Sequence, residues 1–159
     1  MPKFYRRKRY TSSRDKYSIE NKGGVIQTAT SATGGWYQNT VNIVPPTAVE
    51  GMRKVKHTTV TLVYRSGGAG DEAGAVCYAL VYVPEGYNPN TLFTSTSSVY
   101  EPNQFVMQSG IMDFSAGPIR ISSPVSRNLN SGDSIWLVVG SQTAGLSLNY
   151  FTKYAITLQ

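Results

Sequence analysis

From residue 23 onward the chain alternates short runs of β-branched and aromatic residues with glycine, proline, asparagine and serine. Seventeen Ser, 15 Thr, 15 Val and 11 Tyr stand beside 15 Gly and 8 Pro, a composition that favours strands and turns over helices. Short strands separated by turn residues predict an all-β sandwich or barrel. At 159 residues the expectation is one domain.

Nine segments are predicted as strands. They are 25–30, 36–44, 52–65, 75–83, 104–108, 111–114, 119–122, 134–140 and 146–158. The last one is the clearest, because Leu148 and Tyr150 share a parity with the other apolar residues while Asn149 and Lys153 lie on the other. One face of that strand is therefore predicted to meet the core and the other to meet water.

Segments 75–83 and 135–139 are apolar on both parities. Both of their faces must then be covered, although in a sandwich only one face of a strand meets the core. The other face could be covered in two ways, by a loop of the same chain or by a neighbouring molecule. The second alternative would indicate assembly.

The net charge of +6 is concentrated at one end of the chain. Residues 1–22 hold eight basic and two acidic side chains, whereas residues 23–159 hold seven of each. The chain is therefore predicted to consist of a basic arm, residues 1–22, and a neutral body, residues 23–159. Blocks of like charge are typical of tails that bind polyanions.

The arm interleaves cations with aromatic rings, a combination that suits single-stranded nucleic acid. Cationic side chains displace counterions from phosphates, and Phe and Tyr rings stack on unpaired bases. Such a tail can in addition be a nuclear localisation signal. Solubility and contact with an anionic membrane are competing interpretations, although no amphipathic period supports the second. The predicted nucleic-acid-binding residues of the arm are Lys3, Phe4, Tyr5, Arg6, Arg7, Lys8, Arg9, Tyr10 and Arg14.

A second basic patch opens the third predicted strand, where Arg53, Lys54 and Lys56 precede His57. Lysines on an edge strand prevent unwanted sheet pairing, which is one interpretation. The other is a nucleic-acid-binding patch that extends the cationic surface of the arm. The sequence leaves both interpretations open.

The residues expected of an enzyme do not converge. His57 is the only imidazole and Cys77 the only thiol, so one chain cannot form a His/Cys metal cluster. His57 is interpreted as a polar strand residue and Cys77 as a small core residue. The glycine-rich segment 67–74 lacks the Lys-Ser/Thr of a phosphate-binding loop, and no Gly-x-Ser-x-Gly nucleophile motif occurs. We expect a protein that is not an enzyme and uses no cofactor or metal.

Two segments and the arginine-rich start resemble capsid proteins of small circular Rep-encoding single-stranded DNA viruses, the circovirus-like group. The segments are EPNQFVMQSGIMDFSAGPIRISSPVSRNLNSGD, residues 101–133, and VEGMRKVK, residues 49–56. The resemblance implies a single jelly roll of about eight antiparallel strands and a T=1 icosahedral shell of sixty copies. It also implies an arm that faces the packaged genome, here with the cations Lys3, Arg6, Arg7, Lys8, Arg9 and Arg14, although this arm is shorter than those of circoviruses proper.

The partners implied by the resemblance are further copies of the chain, single-stranded DNA rather than RNA, and a nuclear import receptor. The protein would then be found in the virion and, during assembly, in the host nucleus, without membrane insertion.

Two other classes of function remain as alternatives. A non-viral single-stranded nucleic-acid-binding barrel would carry basic and aromatic residues on a sheet face, whereas the body of this chain is neutral. A carbohydrate-binding or hydrolytic jelly roll could use a platform of aromatic rings, although no paired carboxylates support hydrolysis. The candidate platform residues are Tyr78, Tyr82, Tyr87 and Trp136.

Overall fold

The computed structural model describes residues 17–30, 32, 35–67, 75–87, 89 and 106–158. These residues form nine strands and a short 3-10 turn, Phe114–Ala116. The strands are β1 (Ser18–Gln27), β2 (Tyr37–Val44), β3 (Arg53–Ser66), β4 (Ala75–Val83), β5 (Val106–Asp113), β6 (Ile119–Ser123), β7 (Arg127–Leu129), β8 (Ser134–Ser141) and β9 (Ser147–Leu158). No helix in this part of the chain is long and apolar enough to cross a membrane.

The strands form two antiparallel sheets. One has the order β1-β9-β3-β6, with β7 also paired to β3, and the other has the order β2-β8-β4-β5. Because β7 and β6 pair with successive parts of β3, they act as one interrupted strand. Apart from the β4–β5 connection, the chain then passes from one sheet to the other after every strand. This is the arrangement of an eight-stranded jelly roll, so the predicted fold is confirmed.

The core lies between the sheets and is built from alternate residues of each strand. On β9 the predicted inward residues Leu148, Tyr150 and Tyr154 are buried, whereas Asn149 and Lys153 are exposed. This pattern follows from the period of two residues that a strand imposes on its side chains.

The outward face of the four-stranded sheet is buried as well. Its apolar cluster is 0–8% exposed, and the rings of Trp36 and Trp136 pack against it. The cluster consists of Cys77, Ala79, Val81, Val83 and Val138. Because this face is already buried within one chain, it needs no neighbouring molecule as a cover. The apolar character of β4 and β8 on both faces is therefore not a sign of assembly.

Strand β1 begins earlier than the predicted segment 25–30. Residues Ser18 to Lys22, which the predicted arm boundary at residue 22 includes, pair with Ile156 to Thr152 of β9. This segment is polar and exposed at the edge of the sheet, so its side chains show no alternating apolar pattern. Main-chain hydrogen bonds to β9, rather than side-chain burial, hold it in the sheet.

Two smaller corrections concern the second half of the chain. The predicted segments 104–108 and 111–114 form one strand, β5, in which Gly110 lies opposite Tyr78. A Cβ at Gly110 would lie 2.8 Å from the hydroxyl oxygen of Tyr78, so the glycine admits the tyrosine ring rather than ending the strand. Strand β7 was not predicted, because three residues are too few to show a period.

Candidate nucleic-acid interface

The predicted arm residues lie outside the described part of the chain, which begins at Tyr17. They are Lys3, Phe4, Tyr5, Arg6, Arg7, Lys8, Arg9, Tyr10 and Arg14. Their role in nucleic-acid binding remains a prediction. The point at which the arm joins the body is nevertheless defined, because Tyr17 directly precedes β1.

Of the second basic patch, Arg53 does not belong to a nucleic-acid-binding surface. Its side chain is on the core side of β3, only 8% exposed, and donates hydrogen bonds to the main-chain oxygens of Pro45 (2.9 Å) and Asp133 (3.0 Å). Burial lowers the pKa of Arg53, against the opposing effects of Tyr154 and Asp133. Because the guanidinium is used to hold two loops together, its assignment as a nucleic-acid contact is corrected.

Lys54 and Lys56 have the opposite parity and lie on the outward face of the five-stranded sheet. They do not protect an edge, because β3 is paired with β9 on one side and with β7 and β6 on the other. The ammonium nitrogen of Lys56 lies 4.5 Å from the centroid of the Tyr17 ring, a cation–π contact. The arm therefore joins the body beside these lysines.

A bulge at His57 allows both halves of β3 to direct apolar side chains into the core. The register with β9 shifts between Lys56 and Thr59, and His57 has a positive φ of 52°. The shift places Val55 and Val60, which have opposite parity in the sequence, on the same buried side. Consequently Lys56 and Thr59 both lie on the outward face.

Further along the same face, three residues that were not predicted as binding residues come together. Phe151 is 53% exposed on β9, Lys153 follows it at the next outward position, and Arg120 lies on β6. With Thr59 and Thr61 they line a depression of about 200 Å³. Part of this grouping is visible in the sequence, because Phe151 and Lys153 are two residues apart and share the solvent-facing side of β9.

The outward face of the five-stranded sheet, here called the basic face, carries cations together with exposed apolar residues such as Val63 and Phe151. The outward register positions of β1, β3, β6, β7 and β9 include the four cations Lys54, Lys56, Arg120 and Lys153 and no Asp or Glu. The charge of the body is thus segregated, although residues 23–159 sum to zero. Concentrated positive charge of this kind attracts phosphate backbones.

The aromatic residues considered for sugar binding do not form a platform. Tyr78 and Tyr82 pack against the core between the sheets, Trp136 packs against the cluster on the opposite face of its sheet, and Tyr87 lies in the loop after β4. Cys77 is buried, and burial raises the pKa of its thiol. Within the described residues no group of three or more His, Cys, Asp or Glu side chains could hold a metal ion.

No protein-family model and no curated protein sequence matches the chain. Among solved structures, the crystal structure of the decameric BFDV capsid protein aligns with a TM-score of 0.49 and 11% identity, over 92% of this chain and 99% of that chain. Dimeric latent PorU from Porphyromonas gingivalis aligns with a TM-score of 0.38 and 13% identity, over 92% and 13% of the two chains. A CocE/NonD family hydrolase from Staphylococcus aureus aligns with a TM-score of 0.35 and 10% identity, over 92% and 37%. With TM-scores below 0.5, these alignments assign no family and no activity to the chain.

Proposed function

We propose that this chain is a capsid subunit that self-assembles into a small icosahedral shell of sixty copies and packages a circular single-stranded DNA genome. The basic arm binds the genome, and the basic face of the body lines the inside of the shell. The five cations between Lys3 and Arg9 also serve as the nuclear localisation signal that brings the subunit to the site of assembly.

The observation that carries this proposal is the continuity between the arm and the basic face. Tyr17 is the first described residue and directly precedes β1, and Lys56 on the basic face lies against its ring. The chain therefore leaves the body, at Tyr17, on the side of the sandwich that carries the basic face. A subunit that encloses a polyanion needs this polarity, because only its inner side meets the phosphates.

Subunit contacts are proposed at exposed apolar side chains away from the basic face. Ile111 on β5 is 74% exposed, and Val49 and Tyr87 are each 62% exposed in the loops after β2 and β4. The two loops lie at the same end of the sandwich as the β7–β8 turn, since Gly132 donates a hydrogen bond to Thr47 and Glu85 to Asp133. Apolar residues that remain exposed on a body with a complete core favour protein–protein contact.

Imaging of the purified full-length protein tests the proposal. We expect uniform spherical particles by negative-stain microscopy and an early-eluting peak in size-exclusion chromatography. Ile111→Glu should reduce the particle fraction without changing the β-rich circular dichroism spectrum, because it places a charge in an apolar contact. Gln142→Glu, which adds the same charge in the exposed β8–β9 turn, is the matched control.

A second candidate function is a non-viral protein that binds single-stranded nucleic acid as a monomer. The observation in its favour is that Phe151, Lys153 and Arg120 share one sheet face, as that class requires. Its body is not the single barrel considered from the sequence, since the strands form two sheets in jelly-roll order. A species of monomer size at every protein concentration, with an oligonucleotide bound, would favour this candidate over the capsid subunit.

A further inference from the structure

The depression around Phe151 leaves an aromatic ring open to a flat ligand. In the register of the sheet, Phe151 has Gly23 on one side and Thr61 on the other. Gly23 has no side chain to cover the ring, and a Cβ built there would lie 3.6 Å from the ring edge. More than half of the Phe151 side chain is therefore exposed on a strand whose other large apolar residues are mostly buried.

Cations flank this ring in two directions. Lys153 is the next outward residue along β9, about 7 Å away between Cα atoms, and Arg120 lies two strands across, about 10 Å away. Both side chains are long enough to reach groups bound over the ring. Thr59 and Thr61 lie between them and offer hydroxyl groups as donors and acceptors.

The shape and charge of the site identify its occupant. At about 200 Å³ the depression is smaller than the roughly 300–1,000 Å³ of pockets that enclose a small molecule, so it suits one flat group lying on the sheet. The basic face holds four cations and no carboxylate at its outward register positions, which disfavours the cationic arm as its cover and favours a polyanion. A flat group attached to a polyanion is a nucleotide of an unpaired strand.

We propose that the basic face holds a nucleotide-binding site, in which an unpaired base stacks on Phe151 while Arg120 and Lys153 bind the neighbouring phosphates. The inference deepens the proposed function, since it places a base contact on the body of the subunit in addition to the arm. Duplex nucleic acid does not fit this site, because its bases are already stacked on each other.

Filter binding of the full-length protein to oligo(dT) and to a matched duplex tests the site. Phe151→Leu keeps the apolar bulk and the charge but removes the ring. We expect it to weaken single-strand binding by at least about fivefold, with little change in duplex binding or in the salt dependence. Arg120→Gln with Lys153→Gln should flatten the log–log salt dependence by about 1.4 for two phosphate contacts. Tyr37→Leu, which removes a half-buried ring on β2 in the other sheet, is the control.

Photo-crosslinking gives a second readout that does not depend on affinity. An oligo(dT) carrying 5-iododeoxyuridine should crosslink to the peptide that contains Phe151, and less so in Phe151→Leu. Circular dichroism of each variant checks that the fold is retained. Crosslinks confined to the arm, or equal losses for single-stranded and duplex DNA, would overturn the site.

Shell imaging in the same samples separates the failure of this site from the failure of the proposed function. Wild-type shells without a Phe151 crosslink would refute the site and leave the capsid function standing. A crosslink and a selective loss of single-strand binding without shells would support the site and refute the capsid function. If Phe151→Leu abolishes shells formed without nucleic acid, the face is a contact between subunits and the inference is wrong.

Discussion

Among the carboxylate residues that the structure describes, Asp133 takes part in hydrogen bonds with the largest number of other residues. Its side chain accepts hydrogen bonds from the hydroxyl of Tyr82 and the main-chain nitrogen of Asn130, both at 2.8 Å, and from the main-chain nitrogen of Glu85 at 3.4 Å. Its carbonyl oxygen accepts from Arg53. The residue is only 4% exposed. The hydrogen bonds from these partners therefore replace the hydrogen bonds to water that the carboxylate loses on burial. The cluster stabilises the turn before β8.

The Tyr82–Asp133 hydrogen bond predicts a loss of stability at high pH. Burial, the hydrogen bond to Asp133 and the nearby carboxylate charge raise the pKa of Tyr82 to about 12. The unfolded chain, with a tyrosine pKa of about 10, loses the proton first. The stabilisation is therefore complete below pH 10 and is lost as the pH rises from 10 towards 12.

We expect the melting temperature of the wild type to fall more steeply between pH 10 and 12 than that of Tyr82→Phe. Thermal unfolding followed by circular dichroism measures this difference. Tyr87→Phe, at an exposed loop position, should keep the steep wild-type profile. Parallel profiles for the wild type and Tyr82→Phe would contradict the prediction.

At the scale of the element, the bulge in β3 depends on one residue with a left-handed backbone. His57 has a φ of 52°, a conformation that costs a residue with a Cβ about 1–2 kcal/mol and is worst for β-branched side chains. His57→Gly should therefore leave the stability unchanged or raise it by up to about 1 kcal/mol. His57→Val should lower it by about 1–2 kcal/mol relative to the wild type.

Urea unfolding of the two His57 variants checks this prediction. Thr59→Val is the matched control, because it introduces valine into the same strand where the backbone is not left-handed. It should be nearly neutral, since valine and threonine both favour strands. Equal stability of His57→Val and His57→Gly would show that the strand can relax without the bulge.

For the whole molecule, the arm and the basic face should contribute separately to electrostatic binding. Single-stranded DNA binding should show a log–log salt slope of about −0.7 per neutralised phosphate. Replacing Arg6, Arg7, Lys8 and Arg9 with alanine should flatten the slope by about 3, and replacing Lys54 and Lys56 by about 1.4. Salt titrations with oligo(dT) give both values. A slope unaffected by the four arm substitutions would place the binding site on the body alone.

The architecture was largely readable from the sequence, because half-buried strands must alternate. The predicted segment 75–83 matches β4 in its bounds, and the predicted segments for β8 and β9 start or end within one residue of the observed strands. The edge strand β1 was displaced in the prediction, because a strand held by main-chain hydrogen bonds at an exposed edge needs no apolar period. The concentration of positive charge in residues 1–22 followed directly from the positions of the charged residues in the sequence.

The candidate site was determined only in part by the sequence. The wet parity of β9 already placed Phe151 beside Lys153, since side chains two residues apart share a strand face. That Arg120 joins them could not be predicted, because it depends on β3 pairing with β9 on one side and with β6 on the other. Likewise, Arg53 and Lys54 are adjacent cations in the sequence, and only the packed structure separates them. The core side of β3 brings Arg53 to the carbonyl oxygens of Pro45 and Asp133, whereas the outward side leaves Lys54 on the basic face.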